Sequence, residues 1–335
     1  MMKSDFVIKI FTEGGEKIGF GHISRCTALY DEAERLGLPV ELYIQENDYD
    51  FTGNCILENR SYSIVNWQSV EYLQSNLDSN DYCIIDSYLA TIEVYEKIAH
   101  CSAKALFIDD YGRLDYPQGI IVNPSLSTEG IHYSQKSDQD YLLGHEYIIL
   151  RSPFIGKKKT GYSESVNRVL ITLGGTDILN LTGKITSLLV PLFPEISFDI
   201  VLGKGFVDQE EWCQYDNIVC YYNLNDKEMC ELMLRSDFVI TAAGQTIHEL
   251  LALGLPFFAI QTAENQCYNV KALRDYFNPT VVIDGRANNF EELIIEKFVS
   301  NIRKEERFSF TRQLQSTFEN NGTCRILKAL LKGQQ

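Results

Sequence analysis

The sequence predicts a two-domain α/β protein with a parallel sheet in each half. Three observations carry this. Short apolar runs alternate with stretches of helical periodicity along the chain. The alternation stops once, at the basic, Pro- and Gly-containing segment Ser152 to Gly161, and then restarts. At 335 residues the chain is also long for one core, and two domains of roughly 150 residues fit it better.

Phe6 to Phe11 reads as the first strand. His22 to Leu36 reads as a helix, with Ile23, Cys26, Leu29, Ala33 and Leu36 near one face and Gly37 as its stop. Further strands are expected at Val40 to Ile44, Ser63 to Val65, Tyr82 to Ile85, Ala105 to Ile108, Gly119 to Val122 and Tyr147 to Leu150. Helices are expected at Ser69 to Asn76 and Ile92 to His100. The segment Ser152 to Gly161 reads as an interdomain linker. After it, Val169 to Leu173, Phe198 to Leu202, Ile218 to Tyr222, Phe238 to Thr241, Phe257 to Ile260 and Val281 to Ile283 read as strands. Helices fall between them, including Leu179 to Val190, Thr246 to Leu253 and Asn265 to Tyr276, followed by Asn289 to Asn301 and Phe308 to Leu331. Strands alternating with helices imply parallel sheets. The expected domains are residues 1–152 and 162–306, both Rossmann-like and facing a central cleft, with a C-terminal helix in 307–335 returning to the first.

Bulk properties narrow the class. Hydrophobic residues make up 45% and charged residues 23%, an ordinary globular balance. The formal net charge of -16 argues against a nucleic-acid partner, because an acidic surface repels phosphate backbones. Nine cysteines with no C-x-x-C pair read as reduced thiols in a cytosolic protein. The N-terminus has a strand pattern rather than that of a signal peptide, and no run reaches the roughly 20 apolar residues of a membrane span. A cytoplasmic location is expected. Oligomeric state is left open, and a monomer is compatible with everything above.

In open α/β sheets, ligands bind beyond the carboxyl ends of the strands, so the loops after strands carry the functional expectations. The first is Gly14-Gly15-Glu16-Lys17-Ile18-Gly19-Phe20-Gly21-His22, leading into the first helix. Gly19 and Gly21 permit close approach of a ligand to backbone, and a helix N-terminus attracts an anion. Ser24 stands where a dinucleotide fingerprint would have its third glycine, so NAD is a weak reading. His22 can accept a proton at physiological pH, or can simply cap or bridge. In the second half, Gly174-Gly175-Thr176-Asp177 opens a helix that Thr176 or Asp177 can cap. Ala243-Gly244-Gln245-Thr246 opens another, with His248 read as structural and Glu249 about a turn in, within reach of ribose hydroxyls. Gln261, Glu264, Asn265 and Gln266 form a polar set that either completes a nucleoside site or is solvated. Asp86, Asp109, Asp110 and Asn123 also follow strands, and each alone reads as well as a cap or turn residue.

Gly19-Phe20-Gly21-His22-Ile23-Ser24-Arg25 resembles the G-F-G-H-I-x-R loop of the UDP-sugar hydrolases of pseudaminic acid biosynthesis, relatives of the GT-B glycosyltransferase of lipid II synthesis. Ile84-Ile85-Asp86, Ile108-Asp109-Asp110, Val122-Asn123, the Tyr147 to Phe154 segment and Leu173-Gly174-Gly175-Thr176-Asp177 are similar to further family segments, so the resemblance spans most of the chain. Two departures stand out. Ala243-Gly244-Gln245-Thr246 replaces a serine-containing stretch, and Ser87 replaces a histidine.

The resemblance implies a GT-B fold and hydrolysis of UDP-2,4-diacetamido-2,4,6-trideoxy-β-L-altropyranose, with no cofactor and no metal. It implies a catalytic His22, substrate contacts from Gly19, Gly21, Arg25, Asp86, Asp110, Asn123, Gly175 and Thr176, and UDP contacts from Ala243, Gly244, Gln245, Thr246, Glu249, Asn265 and Gln266. Arg25, three residues into the helix, can instead pack or pair. Rival readings are a glycosyltransferase of the same fold with a sugar or lipid acceptor, a non-catalytic sugar-nucleotide binding protein, and a hydrolysing 2-epimerase.

Overall fold

The structure is a computed structural model that describes residues 6–16, 18–175, 177, 179–203, 215–277, 281–317 and 321–333, the last three residues before 318 by backbone alone. The chain forms two units. Met1–Ser152 and Asn321–Gln335 make the first, and Pro153–Asn320 the second.

Seven strands of the first unit are β1 (Ile8–Thr12), β2 (Val40–Gln45), β3 (Tyr62–Val65), β4 (Tyr82–Asp86), β5 (Lys104–Ile108), β6 (Gly119–Asn123) and β7 (Gln139–Leu143). They pair in parallel in the order β3-β2-β1-β4-β5-β6-β7. Helices α1 (Gly21–Arg35), α2 (Val70–Asn76) and α3 (Ile92–Cys101) connect them. The winding reverses between β1 and β4, so the crevice between the ends of those two strands is the switch point where such sheets bind ligands.

The continuous apolar runs are explained by burial of both sheet faces. On β4, Ile84 joins a core with Ile10, Ile23, Cys26 and Leu29, while Cys83 and Ile85 join another with Phe11, Trp67, Val94 and Phe107. Helix α1 ends as its sequence predicts. Gly37 takes φ +72, Gly37 N–H donates to Glu34 O at 2.9 Å, and Leu38 N–H donates to Ala33 O at 3.0 Å, the double closure of a Schellman motif.

The second unit repeats the plan. Its strands β8 (Arg168–Thr172), β9 (Ser197–Leu202), β10 (Ile218–Tyr222), β11 (Phe238–Ala242), β12 (Phe257–Gln261) and β13 (Val282–Asp284) run parallel in the order β10-β9-β8-β11-β12-β13. Its helices are α4 (Leu181–Leu189), α5 (Asp226–Arg235), α6 (Thr246–Leu253), α7 (Cys267–Tyr276), α8 (Phe290–Asn301) and α9 (Lys304–Thr317). Here the winding reverses between β8 and β11. Asn225 and Glu228 close α5 with a reciprocal capping box.

Three expectations are corrected. Tyr147 to Leu150 is not a strand. The seventh strand is β7, and residues 148–150 are buried without sheet pairing because α10 (Gly322–Leu330) covers them, with Leu150 N–H donating to Thr323 Oγ1 at 3.1 Å. The single helix expected from Phe308 to Leu331 is two: α9 in the second unit and α10 in the first. The basic segment after Ser152 is built into the second unit. Phe154 is fully buried, and Lys159 donates from N to Leu253 O and from Nζ to Leu234 O, both at 2.8 Å.

Among the described residues, no helix is long and apolar enough to cross a membrane. Eight cysteines are described, all as free thiols; Cys213 lies outside the described residues.

Candidate active site

At the β1/β4 switch point the loop after β1 folds back on itself. Gly15 and Gly19 exchange N–H···O bonds of 3.1 and 2.7 Å, which aims Phe20-Gly21 into α1. Gly19 has φ +81, and a Cβ on either Gly19 or Gly21 would meet no atom within 4 Å, so both border open space. The N-cap residue of α1 is Phe20, whose side chain makes no capping hydrogen bond.

His22 lies in the first turn of α1 and Asp86 at the last position of β4. Both are buried, and Nδ1 of His22 is 2.6 Å from Asp86 Oδ1. A carboxylate only accepts, so this contact puts a hydrogen on Nδ1, and in the neutral ring the lone pair is then on Nε2. Arg25 Nη2 lies 3.2 Å from the same Nδ1, but a guanidinium has no lone pair to accept that hydrogen.

Arg25, one turn on, locks two carboxylates together. It donates from Nε and Nη2 to Asp86, both at 2.9 Å, and from Nη1 and Nη2 to Asp110 at 2.5 and 3.1 Å. Burial works against the charge of Arg25, but Asp110 and Asp86 outweigh it and hold the guanidinium well above its ordinary pKa. Burial likewise opposes ionisation of Asp110, yet Arg25 and the hydrogen bonds from Arg25 and Tyr88 keep its carboxyl below the usual range. The phenol of Tyr88 donates to Asp110, and its ring stands edge-on to His22 with centroids 4.3 Å apart.

Of the expected sugar-site residues, His22, Arg25, Asp86 and Asp110 thus form one connected cluster, with Gly19 and Gly21 in the loop that feeds it. Asn123 has a different setting. It is buried, donates to Tyr133 Oη at 2.9 Å and accepts from Ser125 N–H at 3.0 Å. Asp109 accepts from Tyr133 and Tyr116 and from the backbone of Gly112 and Arg113, and so holds its loop together.

Two residues of this region carry no expectation in the sequence. Tyr88 follows a strand with Asp86 but offers no charge to attract notice. Glu13 sits directly after β1, beside a loop whose glycines dominate the reading. The register pairs Thr12 with Asp86, which brings Glu13 beside Ser87. Only the sheet order reveals that neighbourhood.

In the second unit both glycine loops flank the β8/β11 switch point. Gly174 has φ +93, and Gly175 is pressed by Gly203, where a Cβ would fall 2.0 Å from Gly175 O. Thr176 lies outside the described residues. Asp177 caps α4, accepting from Leu181 N–H at 3.0 Å and Thr182 N–H at 2.7 Å. That helix end is therefore already supplied with an anion. Helix α6 starts at Thr246 after Ala243-Gly244-Gln245, and the side chain of Gln245, its N-cap residue, makes no capping hydrogen bond. Gln266 accepts from Thr262 N–H at 2.8 Å, and its Nε2 lies 3.6 Å from where a Cβ of Gly244 would stand. Asn269 donates to Ala243 O at 3.3 Å and approaches His248 Nε2 at 3.4 Å. Glu249 is buried in the first turn of α6, and Asn265 is exposed. Among the described residues, no group of three or more His, Cys, Asp and Glu side chains is arranged to hold a metal ion.

Comparison with known proteins places this architecture. MurG of Acinetobacter baumannii aligns over 97% of this chain and 99% of its own, with TM-score 0.62 and 13% identity. The UDP-GlcNAc 2-epimerase of Neisseria meningitidis, solved with UDP-GlcNAc, aligns over 98% and 100%, with TM-score 0.58 and 14% identity. The fold is GT-B. No family model matches the chain. In sequence, this GT-B chain is 26% identical over 294 residues to an uncharacterized protein of Methanocaldococcus jannaschii, covering 81% of this chain and 60% of that protein. It is 23% identical over 299 residues to the pseudaminic acid cytidylyltransferase and UDP-2,4-diacetamido-2,4,6-trideoxy-β-L-altropyranose hydrolase of Helicobacter pylori, covering 87% of this chain and 51% of that protein. The chain thus spans between half and two thirds of the length of these two relatives. It is also 23% identical to the spore coat polysaccharide biosynthesis protein SpsG of Bacillus subtilis, over 80% of this chain and 81% of that one.

Proposed function

We propose that this chain hydrolyses a UDP-linked diacetamido-trideoxy sugar at the anomeric C–O bond, releasing UDP and the free sugar with inversion. The observation that carries the reading is the buried His22–Asp86 pair at the β1/β4 switch point, in which Nδ1 faces the carboxylate and Nε2 is the nitrogen that can serve as a base in the neutral ring. The hydrolase activity in the name of the Helicobacter pylori relative and the polysaccharide role in that of SpsG support the substrate class.

In this reading His22 Nε2 takes a proton from water as the water oxygen bonds to the anomeric carbon. The bond from that carbon to the diphosphate oxygen breaks, and UDP leaves with the electron pair from the opposite face. Asp86 stabilises the imidazolium that forms and fixes the ring's tautomer. Arg25 acts by holding Asp86 and Asp110 in place, while Gly19 and Gly21 leave room for the sugar. In the second unit the N-terminal end of α6, with Ala243, Gly244, Gln245 and Thr246, receives the diphosphate, and its dipole favours the departing charge. Glu249 takes the ribose hydroxyls, Asn265 and Gln266 complete the nucleoside site, and Gly175 and Thr176 contribute to binding the substrate.

The test is to incubate the protein with UDP-2,4-diacetamido-2,4,6-trideoxy-β-L-altropyranose and no acceptor, following UDP and the sugar anomers by NMR, with His22→Ala alongside. Release with inversion, reduced about 10²- to 10⁴-fold in the variant, is the expected result. Binding without release sinks the hydrolase reading and favours transfer, in which the same base would deprotonate an acceptor hydroxyl.

A further inference from the structure

The carboxylate of Glu13 has no place in the scheme above, yet it is the hub of the loop that carries Tyr88. Glu13 is fully buried. Its Oε1 accepts from Tyr88 N–H at 2.7 Å and Leu89 N–H at 3.1 Å. Its Oε2 accepts from the Ser87 hydroxyl and from Gln68 Nε2 at 3.3 Å. Ser87 Oγ in turn accepts from Leu89 N–H at 3.2 Å and Ala90 N–H at 2.9 Å. Ser87, one of the two departures from the family pattern, therefore spends its hydroxyl on this clasp.

Tyr88 is thereby held at both ends. Glu13 fixes its backbone nitrogen, and Asp110 receives its phenol. Between those anchors the ring is stood against His22. A buried carboxylate is costly unless donors compensate it; here four do, three of them from the successive residues Ser87, Tyr88 and Leu89, and such full compensation makes the arrangement rigid. We infer that Glu13 is a positioning residue for the reactive centre: it sets the place of Tyr88, and through that ring the place of the His22 imidazole.

The test separates this role from general stability. The protein is labelled with 3-fluorotyrosine, and the Tyr88 signal among the 19 tyrosines is identified by its loss in Tyr88→Phe. Glu13→Asp keeps the charge but withdraws it by one methylene from Tyr88 N–H. Glu13→Gln keeps the reach and one oxygen for the two backbone donors. The expected result is a Tyr88 signal that moves or broadens in Glu13→Asp and stays in place in Glu13→Gln, with signals remote from the site unchanged in both. If Glu13→Asp does not fold, Ser87→Ala carries the same test, because it removes one arm of the clasp. An unmoved Tyr88 signal in a folded Glu13→Asp or Ser87→Ala protein overturns the inference. This arm needs no turnover. A second arm rests on the proposed hydrolysis: Glu13→Asp lowers kcat about tenfold or more alone, and has no further effect in a Tyr88→Ala background. Independent, multiplying losses in that cycle also overturn it. Absence of turnover in the unaltered protein would count against the hydrolase reading and leave the spectroscopic result standing.

Discussion

At the scale of single residues, the candidate centre is a charge problem solved by pairing. Arg25 brings one cation to two carboxylates, so its removal would leave Asp86 and Asp110 facing each other within a buried cluster. The depressed pKa of Asp110 has a pH signature. A carboxyl held below its unfolded value adds stability above that value, about pH 3.9, and loses it as pH falls through the folded value. The raised pKa of Arg25 acts at the other end: its contribution is complete below the unfolded value, in the far alkaline range, and unchanged across the neutral range. Denaturant titrations from pH 6 down to the acid limit should therefore show a shallower acid loss in Asp110→Asn than in the unaltered protein. Equal slopes would mean that the Arg25–Asp110 pair carries no linkage. His22, Arg25, Asp86 and Asp110 were legible in the sequence because each lies just past a strand or one turn into the helix that follows. Glu13 was not, because a lone acid after a strand reads as a turn residue until sheet order supplies its neighbours.

At the scale of elements, most strands and helices follow from period and punctuation, and the misreadings share a cause. The apolar run Tyr147 to Leu150 mimics a strand because a helix distant in sequence covers it, while the true edge strand β7 is half-exposed and polar. Apolarity reports burial, and only pairing reports a sheet. The contact that misleads also makes a prediction. A Cβ on Gly322 would fall 2.2 Å from Ile148 O, a backbone atom with little room to yield. Gly322→Ala should destabilise the first unit by at least about 1–3 kcal/mol. Leu327→Ala, which empties a fully buried position on the same helix, should cost about 2–5 kcal/mol. Denaturant midpoints check both, and variants within a few tenths of a kcal/mol of the unaltered protein would show that α10 is dispensable. The start of α4 belongs here too: Asp177, at the end of a glycine loop, accepts from its first two N–H groups, a role its place in the sequence allows.

At the scale of the whole molecule, a net charge of -16 and a sequence pI near 4.8 set the long-range behaviour. Anionic ligands have to be bound by local groups, backbone N–H donors above all, against the general field. Long polyanions gain nothing from such a surface, so no shift of duplex DNA or RNA is expected in a mobility assay at about 0.15 M salt. Retardation under those conditions would reveal a basic face that the composition hides. Fold class and sheet direction were legible at this scale because alternation is a property of the entire chain. The unit boundaries were less so, since the segment at Phe154 looks like a tether by composition and is held by packing that only tertiary structure creates.

The helix α10 closes over the sheet that contains β1, although the whole of Pro153–Asn320 is made between them. During synthesis, the first unit emerges from the ribosome missing the wedge that fills its flank. At roughly 5–20 residues per second, those 168 residues take about 10–30 s to appear. Through that interval the positions later covered by Ile326, Leu327 and Leu330 stay wet, and the nascent domain waits, nearly complete, for a segment made long after the rest of it.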